Sequence, residues 1–318
     1  MRRIPSWVWP VLVALFIFAL SRVVKNEYYM FAGYVVLQYI VLASAWNILG
    51  GYSGYVNFGS AAFFGIGAYG TVVLDKLWQP PLVVAIVFSG IVATLVGLVT
   101  AYLTLRLRGV FFAIATLALA IVLQTLVMNW DFVGGPLGYY SVRPDEIAGF
   151  PSYVNYLFVV MLGLALIAVL VARAIELSFI GRGLAAIRDN ELAAECCGVP
   201  TLRLKVFATM VSGALMGMAG APFPYYITYL DPNSAFSLAY GINSIAMPLI
   251  GGMTHWIGPV IGAVLLAVIQ QVATVTISSE LNLMIVGVLL ISFITLAPNG
   301  IVGLFERYRQ KRQRRLST

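Results

Sequence analysis

Charged side chains punctuate this sequence so sparsely that the gaps between them outline its architecture. Stretches free of Asp, Glu, Lys and Arg run over residues 4–21, 28–74, 77–105, 109–130, 147–172, 206–230, 232–279 and 281–305. A charged group at the centre of a bilayer costs roughly 2.5–3.5 kcal/mol, so uncharged runs mark membrane passes. One helical pass needs about 20 apolar residues. The runs beginning at Tyr28 and Pro232 are each long enough for two passes, and the other six hold one. The pattern predicts an all-α polytopic membrane protein of about ten transmembrane helices, forming one domain over residues 1–318.

Ten passes place both termini on one side, and the basic residues test that side independently, because cytoplasmic loops carry an excess of Lys and Arg. Of 19 such residues, fifteen fall with the termini; Arg22, Lys25, Lys76 and Arg143 fall opposite. Both termini are therefore expected in the cytoplasm. The basic tail at 306–318 suits anionic lipid and gives no reason to invoke nucleic acid. Arg2 and Arg3 before an apolar stretch ending in Ala19-Leu-Ser21 also fit a cleaved signal peptide, with a retained first helix as the alternative; the remaining topology is the same either way. Composition agrees: 61% hydrophobic and 10% charged, where soluble domains carry about a quarter charged residues.

What the passes lack narrows the function. None contains an ionisable residue of the kind that couples transport to ions. His255 lies in a turn-like Gly251-Gly-Met-Thr-His-Trp-Ile-Gly258 stretch and reads as an interfacial residue. No lysine is followed by Ser or Thr, so the phosphate-cradling Gly-Lys-Ser/Thr pattern is absent. Nor do the spans hold paired carboxylates, a His cluster or a nucleophile constellation, and no enzymatic activity, catalytic residue or metal site is expected. Cys196 and Cys197 are adjacent in a loop, with neither disulfide context nor metal-ligand spacing. Active transport would thus require ATP to be used by a partner, with no cofactor bound by this chain.

The place for such a partner is the largest loop on the basic side, residues 174–205. There Asp189 or Asn190 can cap a helix, Glu191 sits in its positive first turn, and Gly198 with Pro200 closes it after about two turns. Ile180, Leu184 and Ile187 form one apolar stripe just before, beside Arg182 and Arg188, and Thr201 can cap the next span. So short a helix is marginal alone in water. Either a partner protein grips it or it lies along the membrane surface.

Glu191-Leu-Ala-Ala-Glu-Cys-Cys-Gly198 resembles the Glu-Ala-Ala…Gly signature of ABC importer permeases. The wider stretch from Ile180 to Glu195 looks like the corresponding segment of the branched-chain amino acid permease family, in its LivM-type branch. Gly51 to Tyr69, Leu105 to Ala118, Gly134-Gly-Pro-Leu-Gly138 and Gly251 to Ala263 are similar to LivM-type segments in the same order, so the likeness spans about residues 30–300. Thr254-His255-Trp256 departs from the usual Gly-Thr after the paired glycines, and residues 241–248 are less typical of the branch. The resemblance implies a permease subunit importing branched-chain or other neutral amino acids, with urea or short amides as the alternative. It implies three kinds of partner: a second homologous permease subunit, two ATP-binding-cassette ATPase subunits, and an extracytoplasmic solute-binding protein. It also implies that Arg182, Gly183, Arg188, Asp189, Glu191, Ala194 and Gly198 form the ATPase-coupling segment. A stand-alone channel or secondary carrier is the competing class.

Seven glycines crowd positions 50–70, weakening a continuous helix there, and Gly251 to Gly262 is the matching candidate in the second half. Interrupted helices in corresponding halves point to a transport pathway. Gly213-x-x-x-Gly217 and Gly258-x-x-x-Gly262 instead fit close helix packing. Ser53, Asn57, Ser60, Thr116, Gln124, Asn243 and Ser244 are the uncharged polar candidates for lining a pathway, or for hydrogen bonds between helices.

Overall fold

The computed structural model describes residues 8–23, 26–143, 150–276, 282–296 and 300–304; residues 1–7, with Arg2 and Arg3, and the basic tail from 306 lie outside them. Thirteen α-helices follow along the described chain: α1 (Val8–Val23), α2 (Glu27–Ser53), α3 (Ser60–Leu77), α4 (Leu82–Thr104), α5 (Val110–Met128), α6 (Tyr153–Leu177), α7 (Phe179–Cys196), α8 (Thr201–Gly220), α9 (Phe223–Ile227), α10 (Pro232–Ala235), α11 (Leu238–Gly251), α12 (Ile257–Thr276) and α13 (Asn282–Leu296). Two-residue strands β1 (Tyr139–Tyr140) and β2 (Tyr229–Leu230) pair antiparallel.

Among the described residues, seven segments are long and apolar enough to cross a bilayer: Glu27–Ser53, Leu82–Thr104, Val110–Met128, Tyr153–Leu177, Thr201–Ile227, Pro232–Gly251 and Ile257–Thr274. The protein is thus an all-α, multi-pass membrane protein. Within the described residues, three of the ten expected passes fall below that measure. α1 has 16 residues and α13 has 15. α3 has 18, but its three glycines and the Asp75–Lys76 pair dilute its hydropathy.

Local signals explain the boundaries. Asn26 caps α2 by accepting the Tyr28 N–H, Glu27 sits in the favourable first turn, and Gly54 in the left-handed region at φ +76° ends the helix. α2 is then the central mast: 72% of its membrane window is buried, against 17% for α5, whose flanks stay open. It packs against α6, α8, α11 and α12, burying Tyr34, Trp46 and Leu49.

Hydrocarbon offers no hydrophobic drive between helices, so close backbone approach must hold the bundle. The seam among α3, α4 and α8 shows it: a Cβ on Gly217 would collide with Ala93, and one on Gly67 with the Gly217 carbonyl. Gly258 and Gly262 meet α11 and its C-terminal Gly252 in the same way. Both small-residue spacings read from the sequence are such contact surfaces.

The bundle has two distinct ends. At one lie α7, the α4–α5 and α11–α12 turns and the C-terminus of α2; at the other, the β1–β2 pair and the α3–α4 turn. Among the described residues, Arg106, Arg108, Arg173, Arg182, Arg188, Arg203 and Lys205 belong to the α7 end, and Arg22, Lys76 and Arg143 to the strand end.

Candidate functional site

α7 is two helices joined at a break. Ser178 opens the first by accepting the N–H groups of Ile180 and Gly181, and the chain stays helical until Asn190, whose backbone is extended (φ −163°, ψ 107°). The Asn190 side chain then accepts the Ala193 N–H at 3.1 Å and starts a second half-helix ending at Cys196. Gly198, at φ +82°, closes it as the Val199 N–H returns to the Ala194 carbonyl at 3.0 Å. The short capped helix expected from Asn190 and Gly198 is therefore present, as the second half of a longer element.

The apolar stripe of the first half faces the protein, not headgroups: Leu184 and Ile187 are buried and Ile180 packs on the core. Gly183 admits Leu204 of α8. Thr201 does not cap α8 as expected; its hydroxyl donates to Glu195 at 2.7 Å, tying the end of α7 to the start of α8.

The second half has two faces. Outward stand Leu192, 60% exposed, with Ala193 and Cys196. Inward stand Ala194, which is buried, and Glu191. Glu191 Oε1 meets Lys205 Nζ of α8 at 2.6 Å, and its Oε2 accepts the Tyr55 hydroxyl of the α2–α3 linker at 2.6 Å and lies 3.4 Å from Arg108 Nε in the α4–α5 turn. Burial opposes ionisation of Glu191, but the Lys205 and Tyr55 hydrogen bonds, with the Lys205 and Arg108 charges, outweigh it and hold the carboxyl below its ordinary range. Lys205 is only 3% exposed and spends its donors on Glu191, on Tyr55 (3.0 Å) and on the Leu105 carbonyl (3.5 Å).

The other expected coupling residues divide between surface and interior. Asp189 is exposed beside Arg188 (3.6 Å), and exposed Arg182 stacks on Phe179. Arg188 also reaches back to the Gly51 carbonyl at 3.3 Å. A second carboxylate anchors the same end: Glu176 of α6 accepts the Trp256 N–H at 2.6 Å and lies 3.3 Å from the Tyr52 hydroxyl and 3.9 Å from His255 Nε2. His255 thus borders a carboxylate on a loop and is partly exposed.

The seven pathway candidates lie in three places. Ser53, Asn57, Ser60 and Thr116 surround the α2–α3 linker: Ser53 donates to the Leu49 carbonyl, Asn57 Oδ1 accepts the Gly59 N–H, and Thr116 accepts the Phe58 N–H. Ser60 and Ser244 meet at 2.9 Å across α3 and α11. Asn243 links Tyr39 and Gln270, both at 3.0 Å. Gln124 is apart, half-buried on α5 and bonded to Asn233. Beside Asn57 and Thr116 the cavity measures about 10 Å³, room for about one water. Sequence reading missed Tyr55, Arg108, Lys205, Tyr39 and Gln270 as participants. A cation at the mouth of an apolar run was the available sign for Lys205 and Arg108; the others carried none. Among the described residues no three His, Cys, Asp or Glu side chains group as metal ligands.

The described residues thus form a helical membrane bundle with a kinked loop helix at one end, one side of it open to solvent and the other tied to the bundle through Glu191 and Lys205. The chain matches the family described as branched-chain amino acid transport system / permease component over residues 9–294, and it belongs to that family. LivM of Salmonella typhimurium, a high-affinity branched-chain amino acid transport system permease protein, is 26% identical over 85% of this chain and 69% of that protein. Two probable branched-chain amino acid transport permeases of Methanocaldococcus jannaschii are each 24% identical: LivM over 84% of this chain and 90% of its own length, LivH over 78% and 83%. No solved structure matches the chain.

Proposed function

We propose that this chain is the membrane subunit of an ATP-binding-cassette importer that carries branched-chain or other neutral amino acids across the bacterial inner membrane. In this reading ten helices cross the membrane, both termini are cytoplasmic, and the α7 end faces the cytosol, as its seven described basic residues favour. The chain binds no nucleotide; ATP is used by two ATPase subunits docked from the cytosol. A second, homologous permease completes the channel, a pairing supported by the likeness to both LivM and LivH of one organism. An extracytoplasmic binding protein delivers the solute at the strand end.

The observation that carries this reading is the half-helix after Asn190. Its break from the first half gives it freedom to tilt, and Leu192, Ala193 and Cys196 give it an exposed apolar face. A face of small and medium apolar groups on a short helix suits insertion into a groove on a partner.

Leu192→Asp places a charge at the centre of that face. Reduction of at least about tenfold is expected in both ATPase co-purification and leucine uptake, equivalent to about 1.4 kcal/mol of docking energy, with membrane insertion unchanged. Co-purification at the wild-type level would sink the docking assignment, and leucine transport by the purified chain alone would establish a stand-alone carrier instead. Competition of leucine uptake by urea separates the two substrate classes.

A further inference from the structure

We infer that Glu191 is a positioning residue that never touches the ATPase: with Lys205 and Tyr55 it carries displacement of the docking half-helix into α8 and the α2–α3 linker. The inference rests on the importer reading and deepens it by naming the route from the docking face to the membrane helices.

The geometry divides the half-helix cleanly. Leu192 points out, while its neighbour Glu191 is turned inward with its side chain only 12% exposed. The extended backbone at Asn190 breaks the helix between this half and the first. Apart from the chain itself, side-chain bonds tie it to the bundle, and the shortest are those of Glu191.

Each of those bonds ends on a different membrane element. Lys205 belongs to α8, Tyr55 to the linker between α2 and α3, and Arg108 to the α4–α5 turn. Lys205 is the hub: an ammonium has three hydrogens, and here they address the half-helix, the linker and the last carbonyl of the α4 end. Tyr55 relays further. Two residues on, the Asn57 carbonyl accepts the Trp46 indole N–H at 2.8 Å, and the Phe58 N–H bonds Thr116 of α5. Tyr55 also stacks edge-on against Phe112 at the start of α5, 5.1 Å between ring centres. A push on Glu191 thus reaches α8, α3 and α5 through short directional contacts.

Charge-assisted hydrogen bonds suit this task because they hold distance and direction more firmly than apolar contact does. An apolar side chain at 191 would let the half-helix slide while the bundle stood still. The sequence reading assigned Glu191 to the partner; the structure assigns it to this chain's own transmission.

The test uses the complete transporter, with its ATPase subunits and loaded binding protein, in proteoliposomes. Glu191→Gln removes the charge, and Tyr55→Phe removes a single oxygen while keeping the ring on Phe112. Three quantities are read: ATPase subunits retained, ATP hydrolysed, and leucine imported per ATP. Expected are full retention of ATPase, continuing hydrolysis, and a fall in leucine imported per ATP of about tenfold for Glu191→Gln and severalfold for Tyr55→Phe, the scale of a coupling between two sites. A merely structural role would lower the amount of assembled complex without changing that ratio. An unchanged ratio in Tyr55→Phe, which is mild enough to keep the fold where Glu191→Gln does not, overturns the inference. Loss of ATPase from Glu191→Gln also overturns it, by showing that Glu191 is itself a docking contact. A wild-type chain that retains no ATPase overturns both this inference and the importer reading.

Discussion

The two ends of the bundle are held together by different chemistry. At the α7 end full charges face each other at a junction between elements, where Glu191 meets Lys205 and Arg108, and a second carboxylate, Glu176, accepts the Trp256 N–H beside His255. At the strand end Asp75, Lys76 and Arg143 are met by neutral groups. Asp75 accepts the hydroxyls of Tyr139 (2.8 Å) and Tyr225 (3.1 Å), Lys76 donates to the Phe132 carbonyl, and Arg143 donates to the carbonyls of Tyr225 and Tyr226 while lying over Phe31. Stacked rings extend that network: Tyr34 lies on Tyr226 with centres 4.3 Å apart. The strand end spreads its cohesion over many weak contacts, whereas the α7 end concentrates it in a few strong ones. In the importer proposed above, the concentrated arrangement suits a junction that passes motion between elements, and the spread one suits an end that receives a delivered solute.

That contrast is most sharply tested by removing one charge from each end. Lys205→Met leaves Glu191 without its closest counter-ion in a site only 12% exposed. Breaking a buried pair from one side costs about 3–5 kcal/mol; because Arg108 remains, a loss near 3 kcal/mol is expected, read as a fall in the midpoint of thermal unfolding in detergent. Asp75→Asn removes a charge but keeps an oxygen that can accept a tyrosine hydroxyl, so about 1 kcal/mol is expected. Equal losses at the two sites would show that the ends do not differ in the way described.

Acid separates the ends by another route. The Glu191 carboxyl is held below its ordinary range, so its contribution is complete above about pH 4.3, the usual glutamate value. It is lost only as the pH falls further, through the lowered folded value. Hydrogen exchange of residues 191–199, corrected for intrinsic rate, should therefore be flat from pH 8 to about pH 5 and accelerate below about pH 4. Acceleration near neutrality would mean that the carboxyl is not held by Lys205 and Tyr55.

How much of this was legible follows from which force wrote each feature. Lipid excludes charge, so the membrane passes could be read from the gaps between charged residues alone, and α2, α4, α5 and α6 lie within or almost within those gaps. Caps are local, so Asn190 and Gly198 announced the half-helix. The direction of Glu191 was hidden, because neighbours in a helix point about 100° apart and only the packed bundle decides which one faces in. Lys205 was hidden for a related reason: next to Arg203 it reads as a loop cation, and its burial depends on Tyr55, Leu105 and Glu191, which are remote in sequence. Pairing of Tyr139–Tyr140 with Tyr229–Leu230 bridges about ninety residues, beyond the reach of any local pattern. The pathway candidates were recognisable as polar groups within apolar runs, but Gln124 shares no bond with the rest, and nothing in its spacing told it apart from Thr116.

The smallest expected effect lies within the α7 end and asks whether that end has one tie or two. Thr201 donates to Glu195 Oε1 at 2.7 Å, a second bond between α7 and α8 only four residues from the Glu191–Lys205 contact on either strand of the loop. Glu195 is exposed, so Thr201→Val strands no buried charge: water replaces the lost hydroxyl at the carboxylate, and valine fills the same volume. The cost should be about 0.5 kcal/mol, the lower end for a hydrogen bond, and leucine uptake should stay within about twofold of wild type, since 0.4 kcal/mol is a factor of two. Uptake reduced as strongly as in Glu191→Gln would place the transmitting contact at Thr201 instead, because a bond that contributes so little to stability could have so large an effect only by directing the movement of the half-helix.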